Sequence, residues 1–443
     1  MSTPGGRLLL DCGLFQGLEP LRRRNWGPPP VSPSSIDAIV LSHAHIDHSG
    51  ALPLFVRLGF RGPIFATPPT QDLLRILLLD AAHLQEEEAD AANRHGWSKH
   101  HPALPLFTAA DAEAALARVV PTSFGAEFAV LPGVSARFRR AGHILGAASV
   151  ELVLRDRRPT TVVFSGDLGR PNRPLLHDPE PVRRADVLLV ESTYGDRRHA
   201  PAAEEALAAV VRAAADRGGA LLVPAFAVGR AQELLWHLYV LEAAGKIPAL
   251  PTYLDSPMAI AVTDVYARHP SEHDEALRAA VAAADPQLRR RVTLVRRAED
   301  SKALNDVAGP MIVIAGSGMA TGGRILHHLH HRLADPRTTV LLPGFQAAGT
   351  RGRSLQDGAA TVRMFGHDVP VRAHVAVLDG LSAHADREEI LAWLARFAAP
   401  PRAVHVVHGE PPAAEALAAA IRTRLHWRSV AVAADRAHVP LRP

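Results

Sequence analysis

Leu41–Gly50 reads LSHAHIDHSG, and its first eight residues set three histidines and an aspartate (His43, His45, Asp47 and His48) directly behind the aliphatic run IDAIV. Imidazole nitrogen and carboxylate oxygen are the donors that zinc takes at about 2.0–2.2 Å, and placing four of them together lowers the ordering cost of a metal site. A solvated histidine cluster is the plain alternative. The chain carries another such cluster, HHLHH at His327 to His331, in a helical pattern without a carboxylate partner, and that one reads as structural or solvated. HAHIDH differs because Asp47 is interleaved and because distant donors stand in matching contexts. These are His143 in AGHILGAAS, Asp167 in FSGDLGR and His408 in VHVVHGE. The last two each close an expected strand with a glycine beside them, where a sheet presents functional groups.

The 443 residues exceed the usual size of one domain and suffice for a sizeable core. Hydrophobic residues at 47% and charged residues at 21% are ordinary for a soluble globular protein. No apolar run approaches the roughly 18 residues of a membrane helix. MSTPGGRLLLD has neither the basic start nor the apolar core of a secretory leader. Cys12 is the single cysteine, which excludes an intramolecular disulfide, and a cytoplasmic location is expected. The net charge of +4 is carried almost wholly by arginine, since Lys99, Lys246 and Lys302 are the only lysines. Arginine forks suit phosphate, but a basic excess by itself names no partner.

The first 195 residues read as short strands separated by turns and a few helices, among them IDAIVLSH, TTVVFSGD and ADVLLVEST. QDLLRILLLDAAHLQEEEADAAN has a helical period. From about Ala200 the pattern becomes helix–strand–helix. AAEEALAAVVRAAADRGG, ALLVPAF, GRAQELLWHLYVLEAAG, PTYLDSPMA and MIVIAGSGMATGGRILHHL imply βαβ units on a parallel sheet. The expected division is residues 1–195, an inserted α/β domain over 196–365, and a completing part over 366–443 with VRAHVAVLDG and RAVHVVHGE as strands.

The set Asp11, HAHIDH, His143, Asp167 and His408 resembles the metallo-β-lactamase superfamily. ESTYG (Glu191), LSAHAD (His384) and VHGE (His408), together with AFAVGRAQELL, LDSPMA, SGMATGGR and GTRGRSLQDGA, resemble its β-CASP nuclease branch over nearly the whole chain. That branch includes the endonuclease subunit of the pre-mRNA cleavage complex, RNase J and shorter bacterial nucleases. The resemblance implies an α/β fold, a metallo-β-lactamase αβ/βα sandwich with an inserted β-CASP domain built on a parallel sheet.

It also implies two zinc ions, with Mn2+ as a substitute. His43, His45 and His143 would hold one, Asp47, His48 and His408 the other, and Asp167 would bridge them. Asp11 would orient a ligand from behind. Two cations about 3.5–4 Å apart can share a hydroxide and clamp a phosphoryl oxygen. His384 matches the general-acid position and Glu191 the carboxylate that orients it, while Asp47 counts among both the ligands and the catalytic groups. Taken alone, Glu191 reads first as a capping or salt-bridged carboxylate. Ser382, Arg324, Arg351 and Arg353 are candidate contacts to a substrate phosphate.

The expected activity is hydrolysis of phosphodiester bonds in single-stranded RNA, endonucleolytic in mode. The last metal-side position is His in RNA-processing relatives and Val in DNA-processing ones, so His408 favours RNA. A homodimer is compatible with the resemblance, and no protein partner or membrane is implied. One departure stands out. Relatives usually begin with a β-hairpin ahead of the strand that ends in DCGLFQG, whereas LLLDCGLFQG starts here at Leu8, so a bared sheet edge is expected. Two rival classes are a small-molecule hydrolase of the same fold and a non-catalytic RNA-binding scaffold. The inserted domain with LSAHAD opposes the first, and the full complement of donors opposes the second.

Overall fold

The computed structural model describes residues 1–155, 158–199, 203–282 and 292–441. Two compact units emerge. The first comprises Met1–Arg173, His177–Arg198 and His384–Pro443, and the second Pro174–Leu176 and His199–Ala383.

Two sheets face each other in the first unit. One orders Ser2–Thr3, Gly6–Leu10, Ala38–Val40, Ile64–Ala66 and Val119–Pro121. The edge strand Ser2–Thr3 is antiparallel and the other neighbours are parallel. The other orders Val430–Val432, Ala403–Val406, Val187–Val190, Thr160–Phe164, Ala148–Leu154, Val134–Arg140 and Glu127–Leu131. Alternation explains how they close. Val134, Ala136 and Phe138 turn inward against Leu8, Ala38 and Val40, while Arg137 and Arg139 on the opposite face pair with Glu151. The outer face of the second sheet is covered by helices Arg387–Leu394 and Pro411–Arg424, which bury Ile390, Leu391, Leu417 and Ile421. Helices Leu52–Arg57, Pro68–His95 and Ala109–Leu116 complete the αβ/βα sandwich, the long one burying Leu73, Leu74, Leu77 and Leu78.

The second unit is built on a parallel sheet ordered Val292–Leu294, Thr252–Asp255, Met311–Ala315, Ala220–Pro224, Thr339–Leu342 and His374–Val377. Its inner strands are buried on both sides. Leu221 and Val223 enter one core while Ala220 and Leu222 enter the other, which is why these segments read as unbroken aliphatic runs.

The division differs from the expected one at residue 366. The hairpin Thr361–Met364/His367–Pro370 and the strand His374–Val377 belong to the second unit, because His374–Val377 pairs with Thr339–Leu342. No helix among the described residues is long and apolar enough to cross a membrane.

Candidate metal centre

Strand direction gathers the donors. Val134–Arg140, Thr160–Phe164, Val187–Val190 and Ala403–Val406 all run the same way, so His143, Asp167, Glu191 and His408, which follow them, emerge at one edge. Ala38–Val40 of the facing sheet ends at the same edge, where Ala148 N donates to Ser42 O at 2.8 Å. Part of the HAHIDH segment is helical. His45 caps the one-turn helix Ile46–Ser49, and Asp47 and His48 ride on it. The chain turns here at close quarters, since a Cβ at Gly13 would overlap the Asp47 carbonyl.

Two constellations form. In the first, His45 Nδ1 lies 3.1 Å from His43 Nε2 and 3.2 Å from His143 Nε2. Asp167 Oδ2 lies 3.4 and 3.6 Å from the same two Nε2 atoms. Donors about 2.0–2.1 Å from a tetrahedral ion stand about 3.3–3.4 Å apart, so these separations suit an ion at the centre. In the second, His48 Nε2 lies 3.0 Å from His408 Nε2, 3.3 Å from Asp167 Oδ1 and 3.8 Å from Asp47 Oδ2, which is 3.6 Å from His408 Nε2. Asp167 thus offers one oxygen to each set. Its Oδ1 is buried with no hydrogen-bond partner among the described residues. An orphaned carboxylate oxygen is costly in a protein interior unless a cation meets it, and the residues fit a divalent metal. The first set is buried except at the half-buried His45, whereas the Asp47 and His408 side chains of the second are 41% and 33% exposed, which leaves it the more open to a ligand from solvent.

Asp11 sets the ring orientations. It adopts φ +55°, rare for a non-glycine residue, and accepts from Ser42 N and Ser42 Oγ, each at 2.6 Å. Its Oδ2 is also 2.6 Å from His48 Nδ1. His48 therefore donates through Nδ1 and keeps Nε2 for the centre. Ser42 gives its proton to Asp11, so its oxygen accepts from His43 Nδ1 at 2.9 Å and His43 Nε2 faces inward as a lone pair.

Electrostatics separate the two sides of the centre. Burial pushes His43 and His143 well below the ordinary imidazole range and His45 down to about 4, so all three present neutral nitrogens. Burial acts the same way on His48 and His408, but Asp167 with Asp11 raises His48, and Asp167 with Asp47 takes His408 to about 9.

Glu191 is fully buried. Its Oε1 accepts from Leu168 N at 2.7 Å and its Oε2 from Thr193 N at 3.1 Å. His384, fixed by a bridge to Gly169, brings Nδ1 to 3.4 Å from Glu191 Oε1 and 3.9 Å from Asp167 Oδ2. Burial opposes its protonation, but Glu191 and then Asp167 outweigh it and raise its pKa. Asp167, Glu191 and His384 are also close enough to form a third group of metal donors.

All ten of Asp11, His43, His45, Asp47, His48, His143, Asp167, Glu191, His384 and His408 thus meet at one sheet edge. The remaining candidates lie in the second unit. Ser382 is buried there. Arg324 braces that unit by bonding Asp255 Oδ1 at 2.7 Å and the carbonyls of Val295 and Arg296 at 2.9 Å each. Arg351 likewise bonds the carbonyls of Arg363 and Thr321, at 2.8 and 3.2 Å, and Arg353 pairs with Asp357. The HHLHH reading needs a correction too, because His328 is fully buried and does have a carboxylate partner, Asp255 Oδ2 at 2.6 Å. Sequence reading passed over Ser42 and also Thr193, whose hydroxyl is 3.3 Å from His408 Nδ1. Ser42 precedes His43 directly, and that adjacency was the available signal.

A sandwich that gathers five histidines and Asp47 around a shared aspartate, Asp167, defines a metallohydrolase. Family comparisons agree with that class. Residues 6–224 match the beta-lactamase superfamily domain, 231–355 the Beta-Casp domain, and 368–432 the Zn-dependent metallo-hydrolase RNA specificity domain. A ribonuclease of Thermus thermophilus is 41% identical over 92% of this chain and 88% of its own length. The transcription termination factor FttA of Methanosarcina mazei is 32% identical over 96% of this chain and 66% of its own length. An RNase J-like protein of Methanocaldococcus jannaschii is 29% identical over 93% and 88% respectively. This chain spans between 57% and 66% of the FttA factors it matches. The chain belongs to the β-CASP branch of the metallo-β-lactamase superfamily, and it is a hydrolase.

Proposed function

We propose that this protein is a zinc-dependent ribonuclease that cuts single-stranded RNA internally, in the cytoplasm. The observation that carries the reading is Asp167, one buried carboxylate shared between two donor sets. His43, His45 and His143 would hold one zinc, Asp47, His48 and His408 the second, with Asp167 between. When bound, such a pair supplies a water that ionises near neutral pH and positive charge for the phosphoryl oxygens.

The chain's own residues do the rest. Asp11 and Ser42 hold the ligand rings in the tautomers that present lone pairs. Glu191, itself held by two backbone N–H groups, keeps His384 oriented and protonated. His384 then gives a proton to the leaving 3′ oxygen, a step that general acid catalysis accelerates by about 10²-fold or more. The exposed flank formed by Asp47 and His408 admits the phosphodiester.

The test is cleavage of an internally labelled single-stranded RNA by the zinc-loaded protein, beside DNA of the same sequence. Internal cuts confined to RNA support the reading. Cleavage of both, or stepwise shortening from one end, overturns the substrate or the mode, and an inert zinc-loaded protein overturns the reading altogether.

A further inference from the structure

Residues 15–26, FQGLEPLRRRNW, leave the metal centre directly and bury nothing in their two short helical turns, Glu19–Arg23 and Arg24–Trp26. Even so, the segment is held in place. Cys12 N donates to His48 O at 2.7 Å and Leu14 N to Ile46 O at 3.0 Å, which ties its root to the helix bearing Asp47 and His48. Asn25 closes it on itself, accepting from Phe15 N and donating to Phe15 O, both at 2.9 Å. Arg24 lies 4.1 Å over the Phe15 ring and bonds Asp435 at 3.0 Å. On this frame Trp26 is 65% exposed, and Phe15, Leu18 and Leu21 are exposed beside it. Scattered exposed apolar side chains need no reason, but four within twelve residues of one tethered segment are a concentration.

Charge decides what the segment fits. Of the three consecutive arginines, Arg23 pairs with Glu19 and Arg24 with Asp435. The Arg22 side chain, exposed in the last turn of its helix, has no ion-pair or hydrogen-bond partner among the described residues. A fixed, exposed indole beside an uncommitted guanidinium is the combination that binds single-stranded nucleic acid, the ring stacking a base and the cation meeting a phosphate. We propose that residues 15–26 are a platform for the RNA strand flanking the scissile bond, with Trp26 stacking a base and Arg22 contacting the backbone. The proposal rests on the RNA-hydrolase reading above and adds where the strand lies. A second copy of this chain is the competing occupant.

The experiment is steady-state cleavage of single-stranded RNA by zinc-loaded Trp26→Ala, Trp26→Phe and Arg22→Gln, with light scattering on each. Trp26→Ala is expected to raise KM about tenfold, the scale of one lost stacking contact, with kcat and zinc content unchanged and Trp26→Phe largely restoring KM. Arg22→Gln is expected to flatten the salt dependence of KM by about one ion. An unchanged KM in Trp26→Ala, with the wild type active on RNA, overturns the platform alone. The same KM with a dimer turned to monomer overturns it in favour of a second copy. A wild type inert on RNA overturns the underlying reading and the platform with it.

Discussion

His48 Nδ1 lies 2.6 Å from Asp11 Oδ2, and the same oxygen accepts the Ser42 hydroxyl at 2.6 Å. One carboxylate therefore fixes the inward-facing nitrogen of two histidines, one in each donor set. It does so from a left-handed backbone conformation that few aspartates adopt. Asp11→Ala is expected to weaken metal affinity by about 10- to 100-fold, the usual cost of removing a group that orients a ligand. Zinc competition titration measures it. Ser42→Ala, which removes only the relay to His43, should cost less, and an equal loss would mean that Asp11 acts mainly through Ser42.

His384→Ala is expected to retain the full complement of metal while cleavage slows by about 10²-fold or more. Metal analysis alongside single-turnover cleavage distinguishes the cases. Loss of metal in this variant would make His384 a ligand, through the grouping with Asp167 and Glu191.

The two sides of the centre should respond to pH in different ways. His48 and His408 have raised folded-state pKa values, that of His408 about 9. A raised imidazole pKa adds stability that is whole below the unfolded value of about 6.5 and disappears as pH rises through the folded value. Chelator-treated protein should therefore lose thermal stability between about pH 6.5 and 9. Metal must displace those protons, so the stabilisation on adding zinc should grow over the same window. Melting curves with and without zinc at stepped pH test both signs, and a zinc increment that shrinks across the window would contradict the assignment.

In the second unit, Asp255 is wholly buried and accepts from His328 at 2.6 Å, Arg324 at 2.7 Å and Ser301 at 2.5 Å. Asp255→Ala strips two buried donors, His328 and Ser301, and the half-buried Arg324 of their acceptor and should destabilise that unit by about 3–5 kcal/mol, the range for breaking a buried pair. Chemical denaturation measures this. A change below about 1 kcal/mol would mean that water replaces the carboxylate readily.

Much of the centre was legible in the sequence because its donors carry their own signals. HAHIDH is dense in ligand types, and Asp167 and His408 stand beside glycines just past aliphatic strands. What escaped depends on direction in space. Ser42 is an ordinary serine until the fold brings Asp11 to it across 31 residues. His328 is one of four histidines and differs from the other three in facing the sheet, where Ile325 and Leu329 are also buried. VRAHVAVLDG has the pattern of any short strand, and only its pairing with Thr339–Leu342 assigns it to the second unit.

The shared carboxylate is the centre of the account, and the metal stoichiometry of purified Asp167→Asn tests it most directly. The substitution keeps the side chain's shape and removes the charge that both donor sets use. The expected result is a folded protein that has lost metal from both sets and is inert toward RNA. Two zinc ions retained per chain, with cleavage at the wild-type rate, would contradict a bridging Asp167.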